Sequence, residues 1–507
     1  MIFHLSKPLI GLGYSGLLML AALGNVVADE PSSPAAPDDS QTSDSSQNPP
    51  NSPVPNTPLL PQQAANPYQP FSSSTSNIQS PQLTAPSLYT TGVNDVSQIA
   101  VNNALVQAFS QQPASGFLSE QGASYSQPPI DRIRLGPFDL KATLLMNVVS
   151  DDNILATGGN GTGTGSGGKI SDTSFGLTPA VLLQYGTHEG EKGYASLVYA
   201  PTLTRYFEHS DLNSDNQNVA FNAVYPFQRL TLDLSETYAE VTGINQDLNA
   251  RTTQNSSLTI FGGNYDIDDK LSFASHLQEL ITTFSGGQGG VQGQGDTITS
   301  LNSSFTYQIT DKVKLTPGLN VGLEKPQNTA QQTFEQALVG VTYQPTEKIN
   351  FFAQGGAEFR QYDSSDEAGE TAPGKDVVNP IFSAGVGYTP FDSTTLTVSA
   401  YQDVYASSAE SNESVVSTGV GVSATQRFFQ RLYLNFNFNY AHNEGQADTG
   451  GASSGSQDTL VYRPSLSFAP TAWTSLAVYY QYLDNESNTQ GASYHDNQLG
   501  VSASVQF

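Results

Sequence analysis

No cysteine occurs in the 507 residues, which excludes disulfides, thiolate metal sites, a cysteine nucleophile and a lipid-bearing N-terminal cysteine. Tryptophan occurs once, and basic residues are scarce, 19 Lys and Arg against 46 Asp and Glu. The formal charge of -27 argues against nucleic acid and against an anionic membrane surface as partners. Beyond the amino-terminal segment, no apolar run is long enough to cross a membrane as a helix. What is abundant is aromatic and small: 24 Tyr, 25 Phe and 45 Gly, a composition suited to strands and loops rather than helices.

The chain begins with "MIFHLSK", carrying Lys7, and then the apolar "PLIGLGYSGLLMLAALGNVVA". Val26 and Ala28 occupy the small-residue positions before an acidic pair, so residues 1–28 are expected to be a signal peptide cleaved after Ala28. An anchoring helix is the alternative; Pro8 and the glycines speak against it. Residues 29–130 hold 16 of the 29 prolines and no Lys or Arg. Such Ser-, Gln- and Pro-rich sequence buries too little apolar surface to offset chain entropy, so a disordered periplasmic arm is expected. Within it, Val93, Val96, Ala100, Ala104 and Ala108 form a helix-spaced stripe, consistent with a short helix near residues 93–110.

After Phe138 the sequence becomes periodic. "YDIDDKL" from Tyr265, "YQITDKV" from Tyr307, "YQPTEKI" from Tyr343, "YTPFDST" from Tyr388 and "FAPTAWT" from Phe468 each read as an aromatic, a few turn residues and a new alternating run. With three looser versions, from Tyr185, Tyr225 and Arg427, they recur every 36 to 45 residues. Between them lie long Gly/Ser/Asp-rich segments such as "SSDEAGETAPGKD". A repeat near forty residues also suits a β-propeller. Propeller blades hold four short strands, however, whereas each repeat here offers two runs long enough to cross a membrane at a tilt. Short turns at one end and long loops at the other define a transmembrane antiparallel up-and-down β-barrel. Eight short turns give eighteen strands over residues 131–507, with sixteen the alternative.

Which way the apolar face points follows from "RLYLNFNFNYAHNEG", Arg431 to Gly445. Its even positions from Leu432 to Tyr440 are Leu, Phe or Tyr, while Asn435, Asn437 and Asn439 take the odd ones. Side chains alternate between the two faces of a strand, and a soluble sandwich would turn the apolar face inward. A closed sheet of this size has a lumen too wide for side chains to fill. The Asn ladder is therefore expected to face water, and Leu434, Phe436 and Phe438 to face lipid. The last run, "HDNQLGVSASVQF", alternates likewise and ends on Phe507, where the other repeats place the aromatic before a short turn. Such aromatics would form an interfacial girdle. Charge is sorted as well: Lys192, Arg229, Lys270, Lys312, Lys348 and Arg431 sit at short turns, whereas Asp211, Asp215, Asp366, Glu367, Glu370, Glu410, Glu413, Asp448, Asp484 and Glu486 are expected in the long loops.

"RIRLGPFDLKATLLMNVVSDDNIL", from Arg132, resembles the opening strand of the outer-membrane β-barrel porins often found with exopolysaccharide gene clusters. Gly136 and Phe138 match that family's Gly-x-Phe, and Asp151, Asp152 and Asn153 match its Asp-Asp-Asn loop. The terminal "VSASVQF" resembles the closing signal read by the outer-membrane assembly machinery, with Phe507 as the assembly residue. The resemblance implies an outer-membrane barrel channel. Its implied partners are membrane lipid and lipopolysaccharide, the assembly machinery, and polysaccharide or its export proteins.

Motifs for chemistry are weak. "GTGSGGK", Gly163 to Lys169, has Ile170 where a phosphate loop needs Ser or Thr. "DLNSDN", from Asp211, lacks the Gly and closing Glu of a calcium loop. The histidines never occur at ligand spacing. No enzyme, cofactor or metal is expected. Lys314, Glu358, Arg360, Asp403 and Arg463 fall on the wet faces and, with the three asparagines, are the candidate pore-lining residues, either generic lumen charge or a selective constriction. A structural or interaction protein that displays acidic loops without an open pore is the rival reading.

Overall fold

The computed structural model describes residues 133–506, apart from the internal segments 159–167, 187–192, 246–249, 286–292, 294, 328–330, 363–375, 407–412, 430, 448–454, 472 and 490–491. The segments expected to be a signal peptide, a disordered arm and a helix near 93–110, and Phe507, lie outside the described residues.

The strands run in chain order as β1 (Ile133–Leu135), β2 (Phe138–Asp151), β3 (Asp172–Tyr185), β4 (Tyr194–Tyr199), β5 (Thr202–Tyr206), β6 (Ser214–Pro226), β7 (Leu230–Asn245), β8 (Ala250–Asp266), β9 (Leu271–Ser285) and β10 (Asp296–Thr310). They continue as β11 (Val313–Pro326), β12 (Gln332–Thr346), β13 (Ile349–Tyr362), β14 (Val377–Phe391), β15 (Thr394–Ala406), β16 (Glu413–Phe428), β17 (Leu432–Ala447), β18 (Ser456–Phe468), β19 (Thr474–Ser487) and β20 (Tyr494–Gln506). Each wall strand pairs antiparallel with its neighbours, and β20 returns to pair with β2 from Thr143↔Gln506 to Asp151↔Gln498. The sheet is closed.

Strands β4 and β5 both lie between β3 and β6, as two halves of one wall strand. The break falls at Ala200 and Pro201, where proline has no N–H to give the ladder. Strand β1 pairs with the start of β2, beside which β20 has already ended. Counting β4 and β5 as one and setting β1 aside, the barrel has eighteen strands, as the turn spacing predicts.

Side chains divide by alternation into two faces. On β11 and β12, Leu319, Val321, Val339 and Val341 are exposed, whereas Asn320, Glu324, Gln332 and Gln336 are buried. The face away from the enclosed space is apolar and the enclosed face is polar, the reverse of a water-soluble sandwich. On β17, Leu434, Phe436 and Tyr440 are exposed, and Asn435 bonds across the inner face to Thr425, Ser465 and Ser467.

Four of the short turns share one mechanism. Arg229 donates to the Ile267 carbonyl (3.3 Å), Lys312 to Pro345 (2.8 Å), Lys348 to Pro390 (2.9 Å) and Arg431 to Pro470 (2.5 Å). In each pair the basic side chain of one turn caps a carbonyl of the next, so the repeated turn sequence ties neighbouring turns together at four places along the rim. Just inside this rim, Phe138, Tyr185, Tyr225, Tyr265, Tyr307, Tyr343, Tyr388, Phe428 and Phe468 are all exposed on the outer surface. Rings with a polar edge are favoured at a membrane interface. Toward the long loops, Tyr440 and His442 bond Asp458 (2.6 and 2.9 Å), and Tyr480 bonds Asn497 (2.6 Å). Asp484 and Glu486, expected in a loop, lie instead on β19, and Asp215 and Glu413 at the starts of β6 and β16, because the strands run on past the apolar band.

The absence of cysteine makes the face assignment testable by single substitutions. Asn437→Cys should react with a hydrophilic thiol reagent in reconstituted barrels, whereas Phe436→Cys should be shielded by lipid; equal reaction would contradict the inverted barrel. Val501, near the middle of β20 on the lipid face, should tolerate charge poorly. Val501→Arg should cost about 2–4 kcal/mol in folding free energy by urea titration in vesicles, and Val505→Arg, nearer the rim, should cost less.

Candidate pore-lining site

One dense charged cluster lies on the enclosed face toward the long loops. Its centre is Arg360, on β13 two residues before the strand ends. Arg360 Nε donates to Glu358 Oε1 at 2.8 Å, and Nη1 donates to Glu324 Oε2 at 2.5 Å and to Gln332 Oε1 at 2.8 Å. Nη2 reaches the Val404 carbonyl at 3.4 Å, and the guanidinium lies 5.5 Å from the centre of the Phe334 ring. The network extends through Gln336, which donates to Glu358 at 2.7 Å and accepts from Asn320 at 2.9 Å. Asp403 accepts the Val404 amide at 2.8 Å and lies within electrostatic reach of Glu358 and Arg360.

Alternation explains why these groups meet. Paired residues of neighbouring antiparallel strands point to the same side, so register decides the partners. Phe334 is paired with Arg360, Gln336 with Glu358 and Gln332 with Glu324. Gly322 leaves room for the Phe334 ring, since a Cβ there would lie 2.2 Å from the ring carbon Cζ.

Parity along the sequence puts Glu358, Arg360 and Asp403 on one wet face, and the structure brings the three together. They are not bathed in water: Glu358 is 1% exposed and Arg360 3%. Lys314 lies apart, one residue into β11 beside a short turn. Arg463 is also separate, near the middle of β18, with its guanidinium 3.9 Å from the centre of the Tyr479 ring. That ring lies over Gly500, where a Cβ would come within 2.1 Å of Cζ. The inner face around it, with Asn435, Ser467, Gln481 and Ser504, is built of amides and hydroxyls. Asn437 is exposed on that face, and Asn439 partly so.

Sequence reasoning missed Glu324, Gln332, Gln336 and Phe334. The signal was present, because Glu324 shares the inward parity of Lys314 on the same strand. Of the calcium-loop resemblance, Asp211 falls in a short 3-10 turn, Ser210–Leu212, and Asn216 is buried, accepting the Thr242 amide at 3.0 Å. That contact makes Asn216 a structural group.

Residues 336–507, from within β12 to the closing strand, match the family described as "Putative beta-barrel porin 2". The family likeness read from the sequence is thus borne out as likeness to a β-barrel porin family over that part of the chain. Among solved structures, OccAB3 from Acinetobacter baumannii is similar at 12% identity, covering 73% of this chain and 99% of that one with a TM-score of 0.39. OpdK from Pseudomonas aeruginosa with vanillate is similar at 11% identity, with 73% and 99% covered and a TM-score of 0.39. The FrpB iron transporter from Neisseria meningitidis is similar at 10% identity, with 72% and 82% covered and a TM-score of 0.39. No curated protein matches the chain by sequence. Strand number, closure and the sense of the two faces rest on this chain's own pairing.

The buried cluster makes a stability prediction. Removing one partner of a buried ion pair leaves an uncompensated charge, so Arg360→Ala should destabilise the reconstituted barrel by about 3–5 kcal/mol. A triple replacement of Arg360→Met, Glu324→Gln and Glu358→Gln should recover most of that loss in the same urea titration.

Proposed function

We propose that the protein is an outer-membrane channel for passive diffusion or export of hydrophilic solutes, exported by a signal peptide cleaved after Ala28. The observation that carries this reading is the inverted barrel: an eighteen-strand closed sheet, apolar outside and polar inside. Such a sheet encloses more space than its own side chains fill. Lys314, Arg463, Asn435, Asn437 and Asn439 are the pore-lining groups in this reading, with the Glu358–Arg360–Asp403 cluster bracing the wall toward the long loops. Amides and hydroxyls beside the Tyr479 ring suit a neutral, hydrated solute. A polysaccharide cargo and partnership with its export proteins rest on the family resemblance alone.

A second reading is favoured by one observation. The enclosed charges nearest the long loops are buried, as they would be in a barrel that displays acidic loops and passes nothing.

Conduction separates the two. From Asp131 onward the chain holds 39 acidic and 18 basic residues. An acidic mouth in a low-dielectric wall concentrates cations, and salt shortens the reach of that field to about 8 Å at physiological strength. Purified protein in planar bilayers should pass cations in preference to anions at low salt and lose part of that preference near molar salt. Neutralising Asp366, Glu367 and Glu370, which lie outside the described residues, should weaken the preference without closing the pore. Silence of a correctly folded barrel under all conditions would favour the display protein.

A further inference from the structure

The described start of the first long connection packs onto the enclosed face of the barrel. It starts at the Asp-Asp-Asn sequence after β2, beside the strand that closes the sheet. Asp152 accepts the Asn497 amide and side-chain Nδ2, both at 2.8 Å, and lies 3.5 Å from Lys169 Nζ. Partial burial opposes ionisation of Asp152, but the two Asn497 bonds and Lys169 outweigh it and hold its pKa below the ordinary value. Asn153 is 2% exposed and uses its whole amide. Nδ2 donates to the Thr157 carbonyl at 3.1 Å and the His495 carbonyl at 2.9 Å, while Oδ1 accepts the Thr157 amide at 3.0 Å. Ile154 N donates to the Ile170 carbonyl at 2.9 Å, joining the outgoing and returning limbs. Ala156 has a φ of 51°, a left-handed conformation that a non-glycine residue keeps only where its surroundings impose it.

The turn held in this way reaches an apolar patch. Ala156 packs with Val461, Leu483 and Tyr494, all buried, and Ile244 packs against the group. Val461, Leu483 and Tyr494 belong to the inward face of the adjacent strands β18, β19 and β20, Val461 near the middle of β18 and the other two toward the long-loop ends. Ile244 comes from the end of β7, a different sector of the wall. The polar residues beside Val461, Leu483 and Tyr494 on the same strands, Thr459, Asn485 and Asp496, are buried too, with Asp496 paired to Leu483 and Asn485 to Tyr494, so the apolar patch is small and bounded by polar groups. A turn hooked inward thus meets an apolar island that spans separate parts of the wall.

We propose that Ala156, Val461, Leu483 and Tyr494 form a hydrophobic constriction at the long-loop mouth, and that Asn153 is the positioning residue that holds it shut. Apolar constrictions gate by shedding water, because a hydrated ion finds no polar replacement for its shell. The constriction rests on the channel reading, and it is the step at which hydrated solutes are held back.

Two variants and one independent readout test it. Asn153→Ala removes the hook, and Leu483→Asn wets the patch at similar side-chain volume. Heat-modifiable migration on gels confirms folding of each. The readouts are planar-bilayer conductance and the rate at which the Ala156→Cys variant reacts with a hydrophilic thiol reagent. Conductance should rise several-fold in either variant. The Ala156→Cys protein should react slowly by itself and several-fold faster when Asn153→Ala is added. Faster labelling with no conductance in any protein keeps the constriction and removes the channel reading instead. Unchanged labelling overturns the proposal, whether or not conductance rises, since any opening would then lie elsewhere.

Discussion

In hydrocarbon there is no water to take up a backbone N–H or C=O, and each group left over costs several kcal/mol. A β-protein meets that constraint by having no edge. Here the last strand pairs with the first membrane strand from Thr143↔Gln506 to Asp151↔Gln498, and the rest of the architecture follows from that one ladder. Antiparallel closure with no crossover requires an even number of wall strands, puts alternate connections at opposite ends, and makes the two faces of the sheet an inside and an outside. The seam is reinforced beyond its backbone bonds. Asp152 grips Asn497, and the Asn153 side chain reaches the His495 carbonyl, so side chains of the opening segment hold the closing one.

The two ends of the barrel are finished differently. At the short turns, basic side chains cap carbonyls of the following turn, and exposed aromatics lie just inside. At the other end, tyrosines, His442 and Asp458 form an outward polar network. Both devices put groups with one apolar and one polar side at the depth where the environment changes.

The interior is not uniformly wet. A buried arginine joins acids and amides from β11, β12 and β13 and reaches a carbonyl of β15, so four wall strands are tied at one level by side chains. Such a pair does not by itself guarantee stability, since desolvation offsets much of its attraction. What it does confer is a fixed wall, because every strand it joins is held at one height. The apolar turn-bound patch and the amide-rich region around Tyr479 lie on another part of the same surface. An enclosed face built of unlike sectors can discriminate among solutes in a way that a smooth hydrated tube cannot.

Alternation in "LYLNFNFNY" and the repeated aromatic-turn sequence determined the strand count, the sense of the faces and the two kinds of connection. These are local properties with a period of two residues or a fixed turn length, and each can be read along the chain. Parity also placed Glu358, Arg360, Lys314 and Arg463 on the enclosed face. It could not say that Glu324, 36 residues before Arg360, would be its closest acid, or that Lys314 would stand apart near the opposite rim. Height along the pore depends on the stagger between strands, and stagger is set by the closed sheet as a whole. Nor could it show that the residues just after Asp152 bring Ala156 against Val461 and Leu483. That depends on one asparagine finding a carbonyl of residue 495 at the far end of the chain, a contact that exists only once the first and last strands have met.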